Sequence, residues 1–67
     1  MTDEQFDLLT RLLRMTSQPI ITAARLVLIK GERQADAARE TGCRPNHLSR
    51  AIDQIKVLHD EIRSVYT

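Results

Sequence analysis

Apolar residues along this chain recur at intervals of three and four and almost nowhere alternate, which is the period of helices and not of strands. Phe6, Leu9 and Leu13 fall on one helical face, with Leu8 and Leu12 beside them. Thr2 and Gln5 stand in the T-x-x-Q relation of a capping box, so the pattern predicts a first helix from about Asp3 to Arg14. Met15, Thr16 and Ser17 make a short linker, in which Ser17 can cap a second helix whose first turn contains Pro19. Proline is tolerated there because amides of a first turn lack internal partners. The second helix should turn Ile20, Ala24, Val27 and Leu28 inward, and Gly31 should end it in a left-handed conformation.

A third helix is expected from about Gln34 to Thr41, stopped by Gly42, and Pro45 opens a fourth that runs from Asn46 to Tyr66 without Gly or Pro. The start of this last helix is polar and basic. Further on, Leu48, Ile52, Ile55, Leu58, Ile62 and Val65 recur at helical spacing. These elements predict an all-α domain of four to five helices, a single unit over residues 1–67 with no repeat or low-complexity tract.

The stretch QADAARETGCRPNHLSRAI meets the demands of a helix-turn-helix, about 34–56, in which the second helix stands free to enter a DNA major groove. Ala37 and Ala38 permit close approach of two helices, and Gly42 supplies a positive φ at no steric cost. Cys43 and Leu48 plug the angle between them, while Ala51 and Ile52 continue the buried face. Arg44, Pro45, Asn46, Ser49, Arg50 and Asp53 are left outside. Arg50 can set two donors on guanine and Asn46 can pair with adenine, with His47 and Ser49 as adaptable neighbours. Gln34, at the start of the third helix, can hold a phosphate together with the free amides of that helix end. Lys30, Arg33 and Lys56 read either as further charge contacts or as solvated surface residues. Asp53 reads as a cytosine contact or, preferably, as an intrahelical partner of Arg50 or Lys56.

Charge and composition sharpen this picture in three ways. The net charge is only +1, but Arg44 to Lys56 holds three basic residues and His47 against Asp53 alone, whereas Asp3, Glu4 and Asp7 make the first helix acidic. With 67 residues, 42% of them hydrophobic, the core must be thin, and association with a second copy would add stability. Ile55, Leu58, Ile62 and Val65 have the spacing of a short helix-helix seam within 55–66, and equally the spacing to pack on the leucines of the first helix.

Cys43 is the only cysteine, which fits a reducing, bacterial cytoplasm, and the acidic N-terminus is no secretory signal. Cys43, His47 and His59 lack the paired spacing of a zinc site, so no metal is expected. There is no phosphate loop or nucleophile motif, so neither an enzyme nor a cofactor is expected.

Several residues together carry a resemblance. They are T-x-x-Q-F (Thr2, Gln5, Phe6), A-R-x-V-L-x-x-G (Ala24, Arg25, Val27, Leu28, Gly31), then Gln34 with Ala35, Ala38, Gly42, and L-S-x-A-I (Leu48, Ser49, Ala51, Ile52). In this order the chain resembles the KorA/TrfB family of plasmid transcriptional repressors over roughly residues 2 to 60, and more faintly the PapB-type regulators of adhesin operons. The resemblance implies a homodimer that binds a palindromic operator and represses plasmid maintenance or transfer genes, with base contacts falling on Arg44, Pro45, Asn46, Ser49 and Arg50. Pro45 stands where KorA has a DNA-contacting arginine, and Arg50 replaces a glutamine, so the operator should differ. KorA's dimerisation region would begin about where this chain ends. The competing expectation is a small protein-interaction module, antitoxin-like or anti-repressor, that grips another protein and does not bind DNA.

Overall fold

Four helices form where the pattern places them: α1 Asp3–Leu12, α2 Gln18–Leu28, α3 Gln34–Thr41 and α4 Pro45–Tyr66. The structure is a computed structural model and describes residues 1–66. Thr67, the last residue of the expected domain, lies outside the described residues. The capping box at the start of α1 is complete. The Thr2 hydroxyl accepts from the Gln5 amide at 3.1 Å, and the Gln5 side chain accepts from the Thr2 amide at 3.0 Å. Two orphan donors of the first turn are thereby satisfied.

The end of α1 departs from expectation. The helix stops at Leu12, two residues early, because Arg14 takes a left-handed conformation with φ 55°. The Met15 amide then reaches back to the Thr10 carbonyl at 3.0 Å and the Arg14 amide to that of Arg11 at 3.0 Å. This pair of bonds is the Schellman closure, built here on an arginine where glycine is usual. At the start of α2, Ser17 occupies the cap position, but its hydroxyl makes no capping bond, so the start rests on Pro19 alone.

Helix α2 is the hub. It touches α1, α3 and α4, whereas α1 and α3 do not meet among the described residues. Its tightest face is made of Ala23 and Ala24, both fully buried, and these share one core with Ala37 and Ala38 of α3. Small side chains let the two helix backbones approach closely. Ile20, expected inside, is only half-buried, and Ala23 holds the inner position instead.

The large side chains of the core come from α1 and α4. Phe6, Leu48, Ile52 and Ile55 are all fully buried, each contributing roughly 1.5–3 kcal/mol by removal from water. With 22 residues α4 is about 33 Å long by its rise per residue. That nearly equals the 36 Å longest dimension of the molecule, so a single helix passes through the domain and out beyond its core.

A side chain that the pattern did not assign ties α1 to α2. Arg25 donates to Asp3 at 2.6 Å and to Asp7, and its guanidinium lies 4.7 Å from the centre of the Phe6 ring. The hydrogen bond to Asp7 is the main reason its pKa is raised above the ordinary arginine value, against the cost of burial and with further help from Asp3.

Two turn residues of opposite character generate paired predictions. Gly42 has φ 76° and a Cβ added there would meet no atom within 4 Å, so Gly42→Ala should destabilise through backbone strain alone, by about 1 kcal/mol. Arg14→Gly should stabilise by a similar ~1 kcal/mol, since it relieves the same strain at the end of α1. Thermal or urea unfolding of the two variants checks both signs.

Candidate nucleic-acid interface

The site is built by the turn between α3 and α4. Gly42, at φ 76° and ψ 13°, closes α3 with its amide bonded to the Ala38 carbonyl at 2.9 Å. Three residues, Gly42, Cys43 and Arg44, separate the helices, and the Arg44 carbonyl accepts the first bond of α4 from the Leu48 amide at 3.0 Å. Pro45 therefore begins α4 where its missing N–H leaves no donor wasted. Half-buried Cys43 packs on the core, and the Thr41 hydroxyl donates to the Ala37 carbonyl at 2.8 Å while lying 3.3 Å from the cysteine sulfur. Leu48, Ala51 and Ile52 turn inward.

The opposite side of the same helix start is bare. Arg44, Pro45, Asn46, His47, Arg50 and Asp53 are exposed and Ser49 is half-buried. Lys56 continues this side one turn on, and Gln34 is exposed at the first position of α3. None of the side chains of Gln34, Arg44, Asn46, His47, Ser49, Arg50 and Lys56 makes a hydrogen bond or ion pair within the described residues. Asp53 departs from the preferred reading, because it pairs with neither Arg50 nor Lys56. His47 and Arg50 also border a shallow groove of about 290 Å³ against Met15, Thr16 and Ser17.

Elsewhere several acids are paired. Asp3 and Asp7 are held by Arg25, and Asp36 binds Arg39 at 2.7 Å. At the turn into α3, one oxygen of Glu32 is buried without a hydrogen-bond partner. Its pKa is raised above the ordinary glutamate value, first by that burial, then by a hydrogen bond with Glu40 that only a protonated carboxyl can donate, and by the charges of Glu40 and Asp36.

The expected dimer stripe is divided by the fold. Ile55 is 0% exposed inside its own domain, so it has no surface to offer a second copy, and that assignment is corrected. Leu58 and Ile62 are half-buried against the same core, which already includes Phe6 and Leu9 of α1. Val65 alone of the four is open, at 73% exposure. The apolar side chains that do stand in water are largely ones the pattern had not placed at a surface: Leu8, Leu12 and Val57 are each half exposed or more.

A family profile described as TrfB plasmid transcriptional repressor matches residues 1–64, nearly the whole chain. The chain belongs to the TrfB family of plasmid transcriptional repressors. No curated protein and no solved structure matches it. The TrfB match covers α1, α2, α3, the turn at Gly42 and α4 as far as residue 64. Among the described residues no helix is long and apolar enough to cross a membrane.

Glu32 gives a pH prediction for this TrfB-family domain. A carboxyl whose folded pKa is raised binds protons more readily folded than unfolded, so its favourable contribution is complete in acid and is lost as pH rises through the folded value. Above that value the charged Glu32 is a net cost. Glu32→Gln should raise the unfolding midpoint at neutral pH and flatten the gain in stability seen on mild acidification. Identical pH slopes for the two proteins in thermal melts would count against this account of Glu32.

Proposed function

We propose that this chain is a sequence-specific DNA-binding repressor that acts as a homodimer on a palindromic operator of plasmid genes, inside the bacterial cytoplasm. The observation that carries the reading is the two-sided start of α4. Leu48, Ala51 and Ile52 lock it to the core, while Arg44, Asn46, His47 and Arg50 project outward with no partner of their own. In this reading α3 and α4 with the Gly42 turn are a helix-turn-helix, and α4 is the reading helix.

Each residue then has a role set by its chemistry. Asn46 can pair bidentately with adenine, and Arg50 can place two parallel donors on guanine. Arg44, at the helix start, reaches phosphate or base from outside the first turn. Pro45 contributes a fixed apolar contact suited to a thymine methyl group, and His47 and Ser49 offer short polar contacts. Gln34 joins the amides at the start of α3 in holding a phosphate, and Lys56 adds a charge further along the strand. Phosphate contacts fix the register, while base contacts choose the sequence.

The thin core and the repressor family support a homodimer, since reading a palindrome takes two reading helices in successive major grooves about 34 Å apart. The protein-interaction module remains the second reading, favoured by the exposed leucines of α1, Leu8 and Leu12.

Titration of labelled DNA, after selection of a bound sequence, separates the two. Affinity should fall steeply between ~50 and ~200 mM salt as counterions are released. Asn46→Ala should weaken preference at one base position by about 1–3 kcal/mol, whereas Lys56→Ala should weaken all sequences alike and lower the salt slope by about 1. Absence of DNA affinity at the lower salt concentration would favour the interaction module.

A further inference from the structure

Asp53 is the one acid between Arg44 and Lys56, and no part of the fold uses it. Its side chain is exposed and makes no hydrogen bond or ion pair among the described residues, although Arg50 and Lys56 stand three residues away on either side. A free carboxylate amid cations weakens the pull of that surface on any phosphate chain. Its place on α4 shows what it can offer in return.

Successive residues of a helix are turned by about 100°, so Asn46, Arg50 and Asp53 lie within about 60° of one another on α4. Buried Ile55 faces the opposite way, and Ala51, Ile52 and Ile55, on either side of Asp53 in sequence, hold this part of the helix to the core. The three side chains therefore form the outermost stripe of the helix start, with half-buried Ser49 on its flank. Offsets of three, four and seven residues, as from Asn46 to Ser49, Arg50 and Asp53, are those with which a reading helix of the homeodomain kind meets base edges. Along the axis Arg50 stands about 6 Å beyond Asn46, and Asp53 about 4.5 Å beyond Arg50. Base pairs are stacked about 3.4 Å apart, so the first interval spans roughly two steps and the second roughly one.

An ionised carboxylate only accepts hydrogen bonds, which makes the base edges unequal partners for it. In the major groove guanine offers two acceptors, thymine an acceptor beside a methyl group, adenine a donor next to an acceptor, and cytosine a donor alone. We propose that Asp53 is a specificity-determining residue that accepts from the N4 amino group of a cytosine, in the base pair next to the one Arg50 reads and on the side away from Asn46. The proposal rests on the DNA-reading function and deepens it. Asp53 selects by exclusion. Phosphates repel it in every sequence, the cytosine amino group offsets that repulsion, and any other base leaves the carboxylate desolvated against an acceptor. The acid thus lowers affinity for DNA at large and lowers it further for a wrong operator.

Selection of bound sequences with the full chain, followed by anisotropy titration on single-pair variants of the selected site at one salt concentration, tests this. Wild type should prefer cytosine by about tenfold or more at the pair adjoining that of Arg50. Asp53→Ala should lose this preference, keep the one at the Arg50 pair, and bind unrelated DNA more tightly than wild type does. Asp53→Asn should move the preference toward adenine, whose N6 and N7 an amide pairs with bidentately. Both variants should keep the circular dichroism of the wild type, because the side chain is exposed. If Asp53→Ala keeps the cytosine preference, or gains affinity for all sequences alike, the acid is a general repulsion and the proposal is overturned. It is overturned as well if the loss falls on the pair that Arg50→Ala disturbs, since Asp53 then only aims the arginine. Those outcomes leave DNA reading standing, whereas a wild type without DNA affinity overturns both.

Discussion

The left-handed backbone at Gly42 is the constraint on which the rest depends. Successive residues of a helix are turned by about 100° from one another, so the point at which α4 begins decides which of its side chains face the core. Ending α3 at Thr41 and restarting at Pro45 puts Leu48, Ile52 and Ile55 inside and Arg44, Asn46 and Arg50 outside. A start displaced by a single residue would turn His47 or Ser49 toward the core in place of Leu48. The chemistry of the outer face is therefore inherited from a turn that contributes no side chain to it.

The second requirement is that so small a core hold a 22-residue helix steady. The alanines of α2 and α3 do this by closeness, since Ala23, Ala24, Ala37 and Ala38 leave no bulk between the helix backbones. The other half of the support comes through α1, whose Phe6 and Leu9 cover the middle of α4, and α1 is itself fastened to α2 by Arg25. A half-exposed ion pair is worth little by itself, commonly 0–1 kcal/mol. Here one guanidinium serves two carboxylates while lying over Phe6, so a single ordered side chain supports several contacts.

Much of this was legible from the chain because the signals are local. The Thr2 and Gln5 box, the stops at Gly31 and Gly42, and the proline at the start of α4 each act within four residues, and the helix boundaries follow them closely. What escaped is set by distance or by competition. The Arg25 contacts join residues 18 and 22 positions apart, which no periodicity reveals. Arg14 gave no warning of a left-handed turn, since that signal belongs to glycine, and Ser17 has the chemistry of a cap but not its bond. The stripe from Ile55 to Val65 was ambiguous for a physical reason: three-four spacing says that a face wants cover and is silent on whether the cover is α1 or another molecule. Among the site residues, exposure of the Arg44 to Arg50 surface follows from the pattern, whereas the unpaired state of Asp53 does not.

The fold explains how a chain of net charge +1 can present a cationic surface. At physiological salt a charge is felt over roughly 8 Å, so a ligand responds to the groups beneath it and not to the total. Asp3 and Asp7 share Arg25, and Asp36 pairs with Arg39. The pKa of Glu32 is raised, first by burial and then by Glu40 and Asp36. Within Arg44 to Lys56 only Asp53 opposes Arg44, Arg50 and Lys56. The balance of the whole sequence conceals this division, because all of the acids but Asp53 lie outside Arg44 to Lys56. A polyanion approaching the exposed side of α4 would meet three uncommitted cations and one carboxylate, a local excess larger than the net charge of the chain.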